Sequence, residues 1–554
     1  MATTNKNSSL SEEDVGIKQP DTDAQSLSEG DVIPPAGELN GYGIHRGLRS
    51  HQIQLLAISG VIGTGLFVGT SGVLASAGPA GLLIGYSIWC VFLLCVAHAM
   101  GEMSAMLPVP GSFATHIGRF IDESAGVAMG WTYAYSMMVF TASDCTALTG
   151  LWAYWFPDIN PGVWVACTLV VVFALNCMAV KYFGEAEFYA SILKVFLIFG
   201  FLLFTFIVVL GGNPHHDRIG FRYWETPGAF NEAYTTGSLG RFLAIWSVFN
   251  TAAFSIGGPD FIANCAPEAI NPRRNIPKAV KRVIYRLIFF FILSVFAVGL
   301  LVPYNDPSML KAIASGNGVA KSPFVIAMNR LEIPFLPDLV NAVVITSAWS
   351  CTNCLLFQAS RTVFGLAKHG RAPKIFGWTT KSGVPLPALI LSVGVASLAF
   401  MTCNTSSAVV FNWFINLGST AIMIAYILML WANLRFHKGL KAQGIDVSTL
   451  PFKSRFTPYS NYVAIFGVGI ILLTNGYGVF IHGYWSFQDF FTAYFTIVFF
   501  FVIYIGWKIS KRTSFIRPED MDFQTGMDEV EAHEASLDNK PPETRYERLM
   551  DWLW

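Results

Sequence analysis

Charge is what this sequence has least of. Only 13% of its 554 residues are Asp, Glu, Lys or Arg, about half the ~25% of an ordinary soluble chain. A soluble protein of this length needs polar surface on every domain, and there is too little charge here to supply it. Neither sign is in excess, with 36 basic and 36 acidic residues, so no basic surplus points to nucleic acid. The nine cysteines are odd in number, and most sit inside apolar runs, as do Cys90, Cys95, Cys167 and Cys177. That excludes a secreted disulfide framework. P-loop, HExxH and GxSxG elements are missing, and no Cys/His or His/Asp constellation gathers near one end of the runs. The sequence therefore reads as a non-enzyme with no cofactor. His215-His216 lacks a second ligand pair, so no metal site is expected either.

What is present is apolar length. Hydrophobic residues make up 53% of the chain, and a bilayer core about 30 Å thick needs ~20 of them per helix. Twelve runs satisfy that ruler: 53–77, 80–106, 126–156, 163–180, 189–210 and 241–265, then 283–302, 339–361, 386–403, 409–434, 462–481 and 490–509. Outer-membrane strands would be ~10 residues long with dyad alternation. The prediction is an all-α membrane protein with twelve transmembrane helices. With the N-terminus in the cytoplasm, one set of loops collects Arg119, Arg273, Arg274, Lys278, Arg371, Arg435 and Lys508. The positive-inside rule then puts both termini in the cytoplasm.

Residues 1–45 are polar and acidic, without apolar period, and are expected to be a disordered tail. Such a segment is the opposite of a signal peptide's basic start. Residues 46–512 form the twelve-helix domain, and 513–554 a second cytoplasmic tail. That tail ends in an aromatic cluster, 549–554, suited to the membrane face or a partner, or merely a loosely packed end.

Two of the runs are broken. The first holds Gly63-Thr64-Gly65 at its centre and the sixth holds Gly257-Gly258-Pro259. Irregular backbone survives at membrane depth only where it lines a cavity or is buried in protein, and Pro259 cannot continue a helical ladder. A matched pair of breaks five helices apart is the sign of inverted five-helix repeats in a transporter. Half-helix amides then hold an anionic group, and freed carbonyls hold a cation or an ammonium.

Several motifs carry a resemblance. They are GVIGTGLF (60–67), LPVPGSF (107–113), FGEAEF (183–188), GFRYWETPGAF (220–230), EAINPRRNIPKA (268–279), SRTVFGLAKHGRAPKIF (360–376) and GVPLPAL (383–389). Together they resemble the fungal amino acid permease family of the amino acid–polyamine–organocation superfamily, over about residues 40–525, with wording closest to the proline and dicarboxylic amino acid subgroups. The resemblance implies a LeuT-like fold of 5+5 inverted repeats plus two extra helices. It also implies proton-coupled amino acid uptake at the plasma membrane.

By that resemblance Gly63, Thr64 and Gly65 cradle the substrate carboxylate. Ser255, Ile256 and Gly257 offer carbonyls to its amine, and Phe254 closes over it or simply packs. Lys194 matches a lysine that stands in for a sodium ion in several proton-coupled members; snorkelling to the interface is its alternative. Glu102 matches the second-helix glutamate, while Asp144 and Asp260 stand where relatives usually carry glutamate. All three are proton-coupling or structural carboxylates. Glu268, Arg273 and Arg274 match an inner gate at the sixth helix's cytoplasmic end. Cys351 and Cys354, a CxxC on one helix face, read as packing. Amino acid, proton and the lipid bilayer are the partners. Ubiquitin-ligase machinery could act on Lys6, Lys18 and Lys540 in the tails, and no nucleic acid is expected. The eighth and tenth helices carry Ser347, Ser350, Thr352, Asn353, Asn416, Ser419 and Thr420 but no interior basic group. A neutral or small polar substrate such as proline is therefore favoured; an acidic substrate, or a non-transporting sensor of the same fold, stays open.

Overall fold

The structure, a computed structural model, describes residues 60–525 apart from 61, 109–111, 179, 215, 266–270, 315–321 and 381–382, together with Met527 and Glu531. Among them every regular element is helical. Helix α1, Gly65–Met106, runs 42 residues, about 63 Å at 1.5 Å per residue and twice the bilayer core. It is two passes joined at a corner. Gly78 sits there with φ 75°, and Pro79 opens the second pass, where its missing N–H costs nothing. The loop before the sixth pass stitches the corner: Ala80 N–H donates to Ala229 O at 2.9 Å and Asn231 N–H to Ala77 O at 3.2 Å.

After a short amphipathic connector, α2 (Ser112–Phe120), the third pass α3 (Glu123–Trp152) is buried almost throughout. Its Ser, Thr and Asp content keeps it off the set of eight helices that are long and apolar enough to span by composition alone. A helix wrapped in protein needs no lipid-facing apolar surface. The remaining passes are α4 (Pro161–Cys177), α5 (Val180–Val209), the pair α6 (Ser238–Ser255) and α7 (Pro259–Cys265), and α8 (Pro272–Leu301). Two short helices, α9 (Pro307–Ala314) and α10 (Pro323–Arg330), precede α11 (Leu336–Lys368). Then come α12 (Leu386–Cys403), α13 (Ser407–Ala442), α14 (Tyr459–Thr474) and α15 (Phe487–Lys511). Counting α1 twice and α6 with α7 once gives the twelve expected passes. The seventh begins earlier than expected, at Pro272, because Asn271 caps it through Arg274 N–H at 3.3 Å.

Helix α3 packs on α11 and α13, and α1 packs on α6 and α8. The two groups meet where the chain is non-helical, around residues 62–63 and 256–258. Beyond the last pass the chain does not leave the protein at once. Met521 and Phe523 are buried, with the Phe523 ring 5.5 Å from Phe120 and 5.7 Å from Phe436. Arg435 donates to the carbonyls of Phe120 and Ile516, and Arg119 to that of Thr525 at 3.0 Å. Lys508 lies 2.6 Å from Asp122. Burial pushes the Asp122 carboxyl up, but Lys508, the Ser124 amide and Thr513 outweigh it and hold it below its ordinary range. The end cluster 549–554 and Lys6, Lys18 and Lys540 lie outside the described residues.

Candidate functional site

Both breaks exist, and close packing explains the glycines of the first. A Cβ on Gly63 would sit 2.4 Å from Cys351 Sγ, and one on Gly65 would sit 2.7 Å from Ser255 Cα. Any side chain at either position would force the first pass off α11 or α6. Helix α11 holds the irregular segment by its carbonyls: Ser347 donates to Ile62 O at 3.3 Å and Cys351 Sγ to Gly60 O at 3.5 Å. The first amides of α1 point out of the helix end with no preceding turn to accept them. In the sixth pass α6 stops at Ser255, Gly258 adopts φ 122°, and α7 restarts at Pro259.

Around these ends lies a tight cavity of about 40 Å³. Gly63, Thr64 and Gly65 line it from the first pass, and Phe254, Gly257, Asp260 and Phe261 from the sixth. Met137, Phe140 and Asp144 come from α3, Cys351 and Leu355 from α11, and Ile422 and Tyr426 from α13. A wider vestibule of about 490 Å³ carries Asn250, Thr251, Phe411 and Asn416 on its walls. Phe254 stands at the junction, its ring 5.0 Å from Phe140 in the inner cavity and 5.7 Å from Phe411 in the vestibule. Three aromatic rings thus separate the two spaces.

The two carboxylates of the cavity differ. Asp260 is satisfied at both oxygens, by the Tyr133 hydroxyl at 2.8 Å and by Gly258 N–H at 3.2 Å. Asp144 accepts from the Thr64 hydroxyl through Oδ1, while its buried Oδ2 has no hydrogen-bond partner among the described residues. Lys194 on α5 is fully buried rather than snorkelling. It lies off the cavity wall, yet near enough to Asp144 for the two charges to interact.

The other residues singled out from the sequence are placed elsewhere. The hydroxyl of Ser255 takes Tyr86 at 3.0 Å, and the carbonyl of Ile256 takes Trp89 Nε1 at 3.4 Å. The Ile256 carbonyl and the Ser255 hydroxyl are thus turned to the second pass, and neither residue lines the cavity. Glu102 is remote from it. Its oxygens accept from Ser454 N–H at 2.7 Å and Asn433 Nδ2 at 3.0 Å, with His437 Nε2 at 2.8 Å, joining α1, α13 and the chain ahead of α14. Of the gate residues, Arg273 pairs with Glu531 at 3.5 Å, Arg274 belongs to the cap of α8, and Glu268 lies outside the described residues.

Sequence reasoning missed Tyr426, which only tertiary packing brings to the cavity, and Tyr133, which stands behind the wall as the donor to Asp260. It missed Cys351 as a wall residue, since CxxC spacing reports a helix face and not what the face meets. It also passed over Glu187, buried seven residues before Lys194 on the same face of α5. Ser350 donates to that carboxylate at 2.6 Å and Asn353 at 2.8 Å. An acid and a lysine two turns apart in an apolar run was the available signal.

The sequence profile of the amino acid permease family matches residues 52–517. A proline-specific permease of Emericella nidulans is 41% identical over 513 residues, covering 92% of this chain and 93% of that protein. A dicarboxylic amino acid permease of Saccharomyces cerevisiae is 35% identical over 557 residues, covering 99% and 91%. Among solved structures, a manganese transporter of Eremococcus coleocola superimposes with a TM-score of 0.52 at 13% identity, covering 83% of this chain and 94% of that one. That likeness concerns the fold alone.

Proposed function

The chain belongs to the amino acid permease family, and from that premise we propose that it imports proline, coupled to protons, across the plasma membrane with both termini in the cytoplasm. The observation that carries the reading is the pair of broken helices meeting at one small cavity with an apolar wall. Met137, Phe140, Leu355, Ile422 and Phe261 suit an aliphatic ring, and no Lys or Arg is on that wall among the described residues. A free side-chain carboxylate would seek such a cation, so the wall favours proline over an acidic amino acid. The similarity to a proline-specific permease supports the same choice.

In this scheme the amides at residues 63–65 receive the carboxylate, and the carbonyl end of α6 at Gly257 receives the amine. Phe254 shuts the vestibule behind the substrate. Asp144 and Lys194 are the pair through which a proton is taken up and released, because a buried acid with one unused oxygen beside a buried amine can exchange a proton at low cost in net charge. Glu102 and Asp260, satisfied by fixed donors, hold the frame. Arg273 and Arg274, with Arg119, Arg371, Arg435 and Lys508 at the same end, support a cytoplasmic assignment for that face. Ubiquitin attachment at Lys6, Lys18 or Lys540 is proposed as the route of downregulation.

The test is uptake of radiolabelled amino acids by liposomes containing the purified protein under an inward proton gradient. Proline should accumulate and dissipating the gradient should stop it. No accumulation across a broad panel sinks the transporter reading, and accumulation of aspartate or glutamate in place of proline replaces the substrate.

A further inference from the structure

Tyr426 is the polar wall residue that the scheme above leaves without work. It lies on α13 one turn after Ile422, lines the inner cavity and is 1% exposed. Its ring packs 6.3 Å from that of Trp89, and its phenol lies close enough to Asp260 on the same cavity wall to feel that charge. That hydroxyl has no hydrogen-bond partner among the described residues. Leaving a buried hydroxyl unpaired is costly, and a phenylalanine would fill the same space without the cost. The nearby Asp260 carboxylate does not take the hydroxyl: its oxygens accept from Tyr133 and Gly258, and no hydrogen bond joins it to the Tyr426 hydroxyl.

We infer that Tyr426 is a specificity-determining residue whose hydroxyl donates a hydrogen bond to the carboxylate of the bound amino acid. This rests on the reading of the cavity as the substrate site. The chemistry leaves one choice of acceptor. A protonated amine has no lone pair to accept with, and an aliphatic side chain has no acceptor at all, so the carboxylate alone can take a hydroxyl proton. A second, complementary orphan supports the ligand class. Asp144 Oδ2 is a buried acceptor in the same cavity, and a zwitterion whose amine is held at Gly257 has a further N–H for it while the carboxylate takes the tyrosine's donor. Tyr426 thereby selects for a free α-carboxylate, independently of what the apolar wall selects for in the side chain.

The experiment compares wild type with Tyr426→Phe in the same liposomes, measuring competition by L-proline and by L-prolinamide, which lacks the negative charge. A hydrogen bond to a charged acceptor is roughly twice as strong as one to a neutral acceptor. Tyr426→Phe should weaken proline about 10-fold and prolinamide less than about 3-fold. The melting point of the purified variant without substrate should equal or exceed that of wild type. Unchanged proline affinity, equal weakening of both competitors, or a lower melting point would each overturn the assignment, the last by making the hydroxyl structural. If wild type transports another amino acid, the substrate proposal fails by itself. The competitor pair then becomes that amino acid and its amide, with the same outcomes.

Discussion

Two buried acids, Glu102 and Asp144, look alike in sequence and live in opposite circumstances. Glu102 is met on every side: a backbone amide, an asparagine and a histidine fill its oxygens and tie three parts of the chain together. Asp144 has one oxygen committed to Thr64 and one left over at the wall of a cavity. A charge costs several kcal/mol to bury, and full satisfaction recovers that as rigidity. Partial satisfaction recovers it only when something arrives. Under the proposed scheme the difference separates frame from machinery better than membrane depth does, and it extends to Asp260, which sits on the cavity but is satisfied like Glu102.

The contrast is broken first by Glu102→Ala, which removes the acceptor shared by Ser454 N–H, Asn433 and His437. It should lower stability by about 4 kcal/mol, read as a fall in melting temperature and in surface-labelled protein, with transport per surviving molecule near normal. Transport loss without loss of protein would put Glu102 in the machinery after all. Asp144→Asn should do the reverse. About a 100-fold loss of proton-driven uptake is expected, since an amide cannot exchange the proton, with melting temperature within the range of an ordinary surface change. Exchange of substrate between the two sides without a gradient should survive better than accumulation. If accumulation persists, the proton is carried elsewhere.

The smallest effect sharpens the same comparison outside the membrane. His116, on the connector α2, is buried with Nε2 2.9 Å from Leu107 O. Burial, assisted by Arg119, pushes its imidazole down to about 4, against the opposing hydrogen bond to Leu107. A histidine whose folded value lies below its unfolded one near 6.5 favours the neutral form in the folded protein. Its stability is complete above pH 6.5 and is lost as pH falls toward 4. The loss between pH 7 and pH 5 should be about 2 kcal/mol. His116→Gln should flatten the melting temperature over that interval, and an equally steep slope in the variant would remove His116 as the cause.

Much of the frame was legible because the bilayer imposes it. Run length gave twelve passes, and the paired Gly and Pro signals located both breaks, since backbone irregularity at that depth has few outlets. Within the breaks, the glycines at 63 and 65 could be read. Which way Ser255 and Ile256 face could not, because that depends on Tyr86 and Trp89 far away in the chain. Tyr426 was illegible for the same reason: one tyrosine on an apolar helix carries no mark of having an unpaired hydroxyl. The roles of Glu102 and Asp144 depend on how many donors surround each, and donor counts are a property of packing alone.

The chain after the last pass matters to anyone who shortens or extends this protein. Met521 and Phe523 plug a hollow between Phe120, Phe436 and the bare backbone of Gly439, where a Cβ would lie 2.5 Å from Met521 Sδ. Cutting at Arg512 would withdraw both plugs, expose two aromatic rings to water and strip Gln443 of the Met521 carbonyl it now reaches at 2.7 Å. A reporter or affinity handle joined after residue 525 leaves all of that in place. In this protein the useful cutting point and the end of the membrane are about a dozen residues apart, and the shorter choice removes part of the seal that holds α2 to α13.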